Sequence, residues 1–417
     1  MPSVRLGQSA WKLVQSPVVV FVVALVIRLW AAAQLLPEKM WPFFYQYNEP
    51  SRIAWAILSG HGYSSPWPNT PLAPTAQQPP VYPILLAGIF KLAGVYSLAS
   101  LWIAVVLNAC FSALTAVAIL RLGKRDFLPL AGVLAAWVWS CWLYEAVVAI
   151  RIWESSLSAL LLTVTVLLLG DLATSPRRIR WLIFGILAGL AVLTNTTLLA
   201  VFPFFWWWLW STHRRRGASC GRLMLASIMV CIVVILPWTI RNYATFHRLI
   251  PVRDNFGLEL WLGNHEGVTD RYDTDFPILN PSEYNRLGEI TFMQTKRLIA
   301  MNFIRRHPGD FLRLSARRFF KFWTEPSRSL WLPMNLLAWT GLFLAVNEKR
   351  GDAIPYAIIL LAFPVVYYAS HTFPTYRHPI EPALLLLAAY ALVGIVQAVS
   401  RRLGRTTSPI SDGASAY

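Results

Sequence analysis

The sequence predicts an all-α, multi-pass membrane protein with about ten transmembrane helices, outward amphipathic helices and a small extracytoplasmic segment. Three observations carry that prediction. The 417 residues are 56% hydrophobic, with a mean hydropathy of +0.49. Only 14% are charged, against about 25% in a typical soluble domain. Runs such as "VVVFVVALVIRLWAAAQLL" (18–36) and "LMLASIMVCIVVILPW" (223–238) approach the roughly 20 apolar residues that a spanning helix requires. A cleaved leader fits 18–36 poorly, because no small-residue cleavage site follows at Pro37–Trp41.

In order, spans are expected near 18–36, 98–120, 128–147, 155–172, 181–195, 196–211, 223–238, 329–346, 353–369 and 382–399. The fifth and sixth are short and meet at the Thr-rich break "LTNTT". Arg121, Lys124 and Arg125 fall in one connection, and Arg177, Arg178 and Arg180 in the next on that side. "HRRRGASCGR", "NEKR" and the tail "RRLGR" complete the basic set. Basic short loops face the cytoplasm. Ten spans put all of these segments on that side, with both termini.

The chain then divides into an N-terminal membrane region (1–238, with a first outer loop at 37–96), an extracytoplasmic segment (239–328), C-terminal membrane helices (329–400) and a cytoplasmic tail (401–417). The net charge of +17 is largely this cytoplasmic fringe, so it argues for a membrane surface and against a nucleic-acid partner. Cys110, Cys141, Cys220 and Cys231 lie in spans or on the cytoplasmic side, which speaks against a disulfide framework.

The outer connections hold the chemistry. In the first loop the acids are Glu38, a solvated interface charge, and Glu49. Glu49 opens "NEPSRIAWAIL", which reads as a helix with Asn48 as N-cap and Pro50 in its first turn. A carboxylate there is comfortable beside the helix N-terminus, and pairing with Arg52 is the structural alternative to a functional role. The stretch after Pro79 and Pro80 is apolar for only about 14 residues and suits an interfacial or re-entrant helix. Glu154 begins the fourth span at the outer surface, near Arg151 and Glu145. Arg241 and Asn242 stand just past Pro237–Trp238, and "SHTFPTYRHPIEPALL" places Arg377, His378 and Glu381 among prolines. In "HPGDFLRLSARRFFKFW", Phe311, Leu314, Phe319 and Phe322 are expected toward lipid and Arg313, Arg317, Arg318 and Lys321 toward headgroups. Arg28, mid-span, is expected to face the bundle.

Interfacial carboxylates and arginines suit group transfer from a polyprenyl phosphate to a hydroxyl. The phosphate leaves readily, its charge needs cationic stabilisation, and the hydroxyl needs a base such as an ionised Glu.

The motifs "NEPSRIAWAILSGHGYS", "QQPPVYPILLAGIFKLAG", "RIWESSLSALLL", "PWTIRNY" and "YRHPIEP" resemble, in order and over most of the chain, the GT-C glycosyltransferases. The branch is the bacterial family 39-like group, related to protein O-mannosyltransferases and the aminoarabinose transferase of lipid A. The resemblance implies a hexosyltransferase-like enzyme of the bacterial inner membrane with an extracytoplasmic active site. Its donor would be a polyprenyl-phosphate-linked sugar, transferred with inversion to a glycan, lipid or protein acceptor. The family's catalytic acid is usually the Asp of an Asp-Glu pair; here the pair reads Asn48-Glu49, which leaves the role to Glu49. Glu154 matches a second family acid, with a positioning or metal-related role. A lysine that meets the lipid phosphate in the aminoarabinose transferases is replaced by Gln78, so Arg377 is the first candidate for that contact and Arg241 the second. Asn242, His378 and Tyr82 complete the expected substrate-binding set. The resemblance specifies no cofactor, and a divalent metal stays open. The rival readings are a transporter or flippase of lipid-linked glycan intermediates and a non-catalytic membrane member of the family.

Overall fold

The computed structural model describes residues 10–35, 45, 48–65, 67–68, 70–175, 177–269, 281–348, 350 and 352–406, without the side chains of 281 and 401–406. Glu38 and the end of the tail lie outside the described residues. Among those described there is no strand, and a lone bridge joins Ser64 to Pro74.

Helices stand at every place where a span is expected. They run α1 (Pro17–Leu35), α2 (Glu49–Leu58), α3 (Val81–Ala93), α4 (Leu98–Asp126), α5 (Pro129–Cys141), α6 (Leu143–Ala149), α7 (Ser155–Thr174), α8 (Arg178–Thr194), α9 (Phe202–Arg215) and α10 (Gly221–Phe246). The second half holds α11 (Phe256–Gly263), α12 (Pro281–Leu287), α13 (Glu289–Arg306), α14 (Pro308–Thr324), α15 (Arg328–Asn347), α16 (Ala353–Ala362), α17 (Val365–Ala369) and α18 (Glu381–Thr406). Two short 3₁₀ helices, Thr196–Ala200 and Pro374–Ile380, interrupt them. Six of the described helices are long and apolar enough to cross a membrane alone, and the pair α5–α6, bent by 64°, passes the same test only when taken together, as a broken span or a re-entrant loop.

The largest apolar core gathers α4, α5, α7, α8, α9, α15, α16 and α18. Small residues set the helix spacing there. A side chain at Gly341 would strike the Leu387 carbonyl, and one at Gly185 the Ser227 carbonyl; glycine lets these backbones approach closely. A second cluster packs α2 and α3 against α1 and α4, and a third joins α11, α12 and α13.

Arg28 faces the bundle as expected. Its guanidinium donates to Ser112 Oγ (2.6 Å), Ala24 O (3.1 Å), Ser140 O (3.1 Å) and Trp139 O (3.0 Å). The last two carbonyls lie at the end of α5, where the bend removes their helical partners. The arginine replaces those donors in a region without water.

In α14 the expected faces are found only in part. Phe319, Arg313 and Arg317 are exposed, whereas Leu314, Arg318 and Phe322, expected toward lipid or headgroups, are buried in the protein. The Arg318 guanidinium is bonded to Gly263 O, Asn264 Oδ1 and the carbonyls of Tyr368 and Ala369. A basic amphipathic pattern does not distinguish a headgroup from four protein acceptors, and here the latter hold the charge.

Candidate active site

The helix that presents Glu49 forms for local reasons. Asn48 Oδ1 accepts from Ser51 N (3.4 Å), Pro50 fills the first turn, and Ile53, Ala54 and Ala56 are buried. Asn48 is thus occupied as a cap. Glu49, one residue on, opens the helix and makes no ion pair with Arg52, whose guanidinium lies 5.7 Å from the Trp55 ring centroid.

The partners of Glu49 come from the rest of the first loop. Trp67 Nε1 donates to Oε1 (3.1 Å), and Gln78 Nε2 donates to Oε2. Burial pushes the carboxyl above the usual range, while these two bonds and the charge of Arg253 act to lower it. The result is a base stronger than a solvated Glu, with donors that favour its ionised form.

The segment carrying Gln78 is tied on nearly every backbone group. Glu289 of α13 accepts from Ala76 N (2.6 Å), Thr75 Oγ1 and Tyr284 OH (3.0 Å). Arg241 donates to Thr75 O (2.6 Å) and Tyr63 O (2.8 Å), Tyr63 OH to Gln78 O (2.9 Å), and Arg253 Nε to Gln77 O (2.9 Å). Fixed backbone here fixes the amide that holds Glu49.

Glu154 is the N-cap of α7, its carbonyl accepting from Ser158 N (2.8 Å). Burial pushes its carboxyl up to about 7, with the nearby Glu49 charge acting in the same direction and Arg253 against it. Glu49 and Glu154 open onto one cavity of about 260 Å³. Gln77, Gln78, Asn195, Thr196, Arg253, Asn255, Glu259, Tyr367 and Tyr376 are among the other residues lining it. Asn195 and Thr196 come from the "LTNTT" break, where Asn195 Oδ1 caps the 3₁₀ turn by accepting from Thr197 N (3.0 Å).

Beside it lies an apolar groove of about 580 Å³, walled by Pro80, Val81, Ile84, Leu85, Phe111, Leu157, Leu193, Val234, Pro237 and Trp238. Three chain segments pass from one to the other: Gln78 to Pro80, Ser155 to Leu157, and Asn195 to Leu193. A polar chamber and an apolar groove are thus lined by neighbouring residues of the same three segments.

The other expected site residues stand elsewhere. Arg377 is buried in an ion pair with Glu381, donates to Phe322 O (2.7 Å) and sits 4.0 Å from the Trp331 ring centroid. His378 Nδ1 lies 2.7 Å from Glu145 Oε2, away from the cavity. Arg241 braces the first loop, between the Tyr63 and Trp238 rings. Asn242 Nδ2 donates to Ile250 O (3.0 Å), and Tyr82 OH accepts from Asn108 (2.7 Å). None of the five lines the chamber. The cation that does is Arg253, together with Glu259 and Asn255, none of which the motifs single out. A signal was present in "PVRDNFGLEL", where charged and amide residues crowd the first turns after a span.

Among the described residues no three His, Cys, Asp or Glu side chains converge as a metal set.

Comparison with known proteins follows the same lines. Residues 77–240 match the family described as dolichyl-phosphate-mannose-protein mannosyltransferase. The fold is similar to ArnT from Cupriavidus metallidurans bound to undecaprenyl phosphate, with a TM-score of 0.51, 16% identity, and coverage of 96% of this chain and 66% of that one. It is also similar to the Archaeoglobus fulgidus oligosaccharyltransferase in its apo form (TM-score 0.54, 14% identity, 95% of this chain and 53% of that one). A third likeness is to AglB of that organism in complex with an inhibitory peptide and a dolichol-phosphate (TM-score 0.53, 13% identity, 96% and 52%). This chain therefore spans between half and two thirds of the length of the structures it matches. No curated protein sequence matches it. The fold is that of the GT-C glycosyltransferases.

Proposed function

We propose that this GT-C chain, related to the protein mannosyltransferases and to ArnT, transfers a sugar from a polyprenyl-phosphate-linked donor to an acceptor hydroxyl at the non-cytoplasmic surface of the membrane. The observation that carries the reading is one chamber lined by Glu49, Glu154 and Arg253, with an apolar groove lined by neighbouring residues of three of the same chain segments. A donor with a charged head and a hydrocarbon tail fits that pairing.

In the reaction, Glu49 takes the proton of the acceptor hydroxyl as its oxygen attacks the anomeric carbon. The bond from that carbon to the phosphate oxygen breaks on the opposite face, and its electron pair leaves with the prenyl phosphate. Attack opposite the leaving group inverts the centre. Arg253 stabilises the charge developing on the phosphate. Gln78 and Trp67 keep Glu49 aimed and ionised before the proton arrives. Glu154, whose carboxyl burial pushes up to about 7, donates to or accepts from the sugar hydroxyls and holds the head in place. Arg377 and His378, paired to acids of their own, keep the final loop rigid beneath the chamber.

The membrane meant is the bacterial inner membrane, with both termini in the cytoplasm. This rests on the basic connections, which the ten-span arrangement gathers on one side. The acceptor is a glycan, lipid or protein hydroxyl.

Deletion of the gene tests the reading. A prenyl-phosphate-linked sugar should accumulate in the mass spectrum of the lipid extract, and the wild-type gene but not Glu49→Gln should clear it. Clearance by Glu49→Gln would reject the base. Movement of the lipid across vesicles without any transfer would favour a flippase.

A further inference from the structure

Arg253 is not alone at the chamber wall. Its Nη2 lies 3.7 Å from Glu259 Oε1, with the two side chains 22% and 29% exposed. That separation is longer than a charge-assisted hydrogen bond of about 2.7–2.9 Å, so the two groups attract without being locked. Glu259 is held independently. Asn255 Nδ2 donates to Oε1, and His371 Nδ1 lies 3.2 Å from Oε2. His371 Nε2 in turn meets Tyr376 OH (3.1 Å), and Tyr376 lines the same chamber. Arg253 is anchored on its other side through Nε to Gln77 O. The guanidinium thus has a fixed stem and a loosely matched anion, while the anion has two further partners already in contact.

We propose that Glu259 is a stand-in for the donor phosphate. It neutralises the Arg253 guanidinium while the chamber is empty, yields it when a phosphate arrives, and then rests on Asn255 and His371. This rests on the functional reading above, in which Arg253 meets the phosphate. Without Glu259, an unmatched guanidinium in the empty chamber would be left to the other acids there, Glu49 and Glu154, both of which already feel its charge. With it, the base is spared for the acceptor. The same competition acts after transfer, when Glu259 reclaims Arg253 and helps release the prenyl phosphate. Glu259 therefore sets the affinity for the phosphate head and contributes nothing to the tail.

The test is binding of a C55 prenyl monophosphate to the full chain in nanodiscs, with the matching prenyl alcohol as control. Removing a competing anion should tighten phosphate binding by about five-fold or more in Glu259→Gln, the lower end of ordinary coupling between two sites. Alcohol binding should not change. Glu259→Asp keeps the charge but withdraws it by one methylene, and should give a smaller gain. If Glu259→Gln does not fold, this variant decides. Unchanged or weaker phosphate binding in the folded variants overturns the proposal, provided that wild-type binding still falls in Arg253→Gln. Wild-type binding indifferent to Arg253→Gln removes the phosphate role of Arg253, and this inference with it.

Discussion

Two groups of charges sit near the loop-bearing end of the bundle and differ in what surrounds them. Arg253, Glu49, Glu154 and Glu259 line one cavity, and the Arg253–Glu259 pair across it is loose. Around Arg377, Glu381, His378 and Glu145 there is protein on all sides, each of the four being no more than 2% exposed. The residue types are nearly the same. What separates a site from a scaffold is whether the charges face a cavity or packed protein. A buried guanidinium between a carboxylate, a carbonyl and an indole ring has no need of a ligand. One that faces a cavity beside an acid at 3.7 Å does.

That contrast is most exposed to failure at Glu49. Glu49→Gln should lower transfer by about 10²–10⁴-fold, the range of a general base, while prenyl-phosphate binding stays within a few-fold. Transfer assays and binding on the same preparation check this pair of results. At Arg377 the expected loss is of another kind. Arg377→Ala leaves Glu381 buried without its partner, a cost of about 3–5 kcal/mol, seen as low yield and early melting. A variant that folded normally and lost only donor affinity would move Arg377 into the site and dissolve the comparison.

Arg253→Gln should do the reverse. Phosphate affinity falls by on the order of tenfold, about 1.4 kcal/mol, and thermal stability hardly moves. An effect of another kind, on stability against pH, concerns Glu154. Folded, it holds its proton up to about 7, whereas the unfolded chain releases it near 4.5. The folded state therefore binds more protons between those values, and stability falls as pH rises through that window. Glu154→Gln abolishes the loss. It should melt a few degrees above wild type at pH 8 and with it at pH 4, as scanning calorimetry can show.

Much of the fold was legible because its causes are local. Apolar run length marked the helices, the Asn48–Pro50 cap marked α2, and the short run after Pro80 marked a helix of 13 residues. The meeting of Glu49 and Glu154 was legible only as a shared depth. The arginines were less so. Arg377 and Glu381 stand four apart at a helix start, a spacing that already favours their pairing. Arg241 reads as an exposed boundary charge until Tyr63 and Thr75, more than 160 positions away, turn out to offer their carbonyls. Arg318 looked like a headgroup ligand for the same reason.

By itself, then, the sequence determined a helical membrane chain, the places where its apolar helices stand though not where each one ends or breaks, and the presence of two acids at helix starts. These follow from hydropathy, capping and loop charge, which act within a few residues. Tertiary structure alone decided which cation shares the chamber with those acids, because a charge is placed by its partners, and here the partners lie in distant segments of the chain.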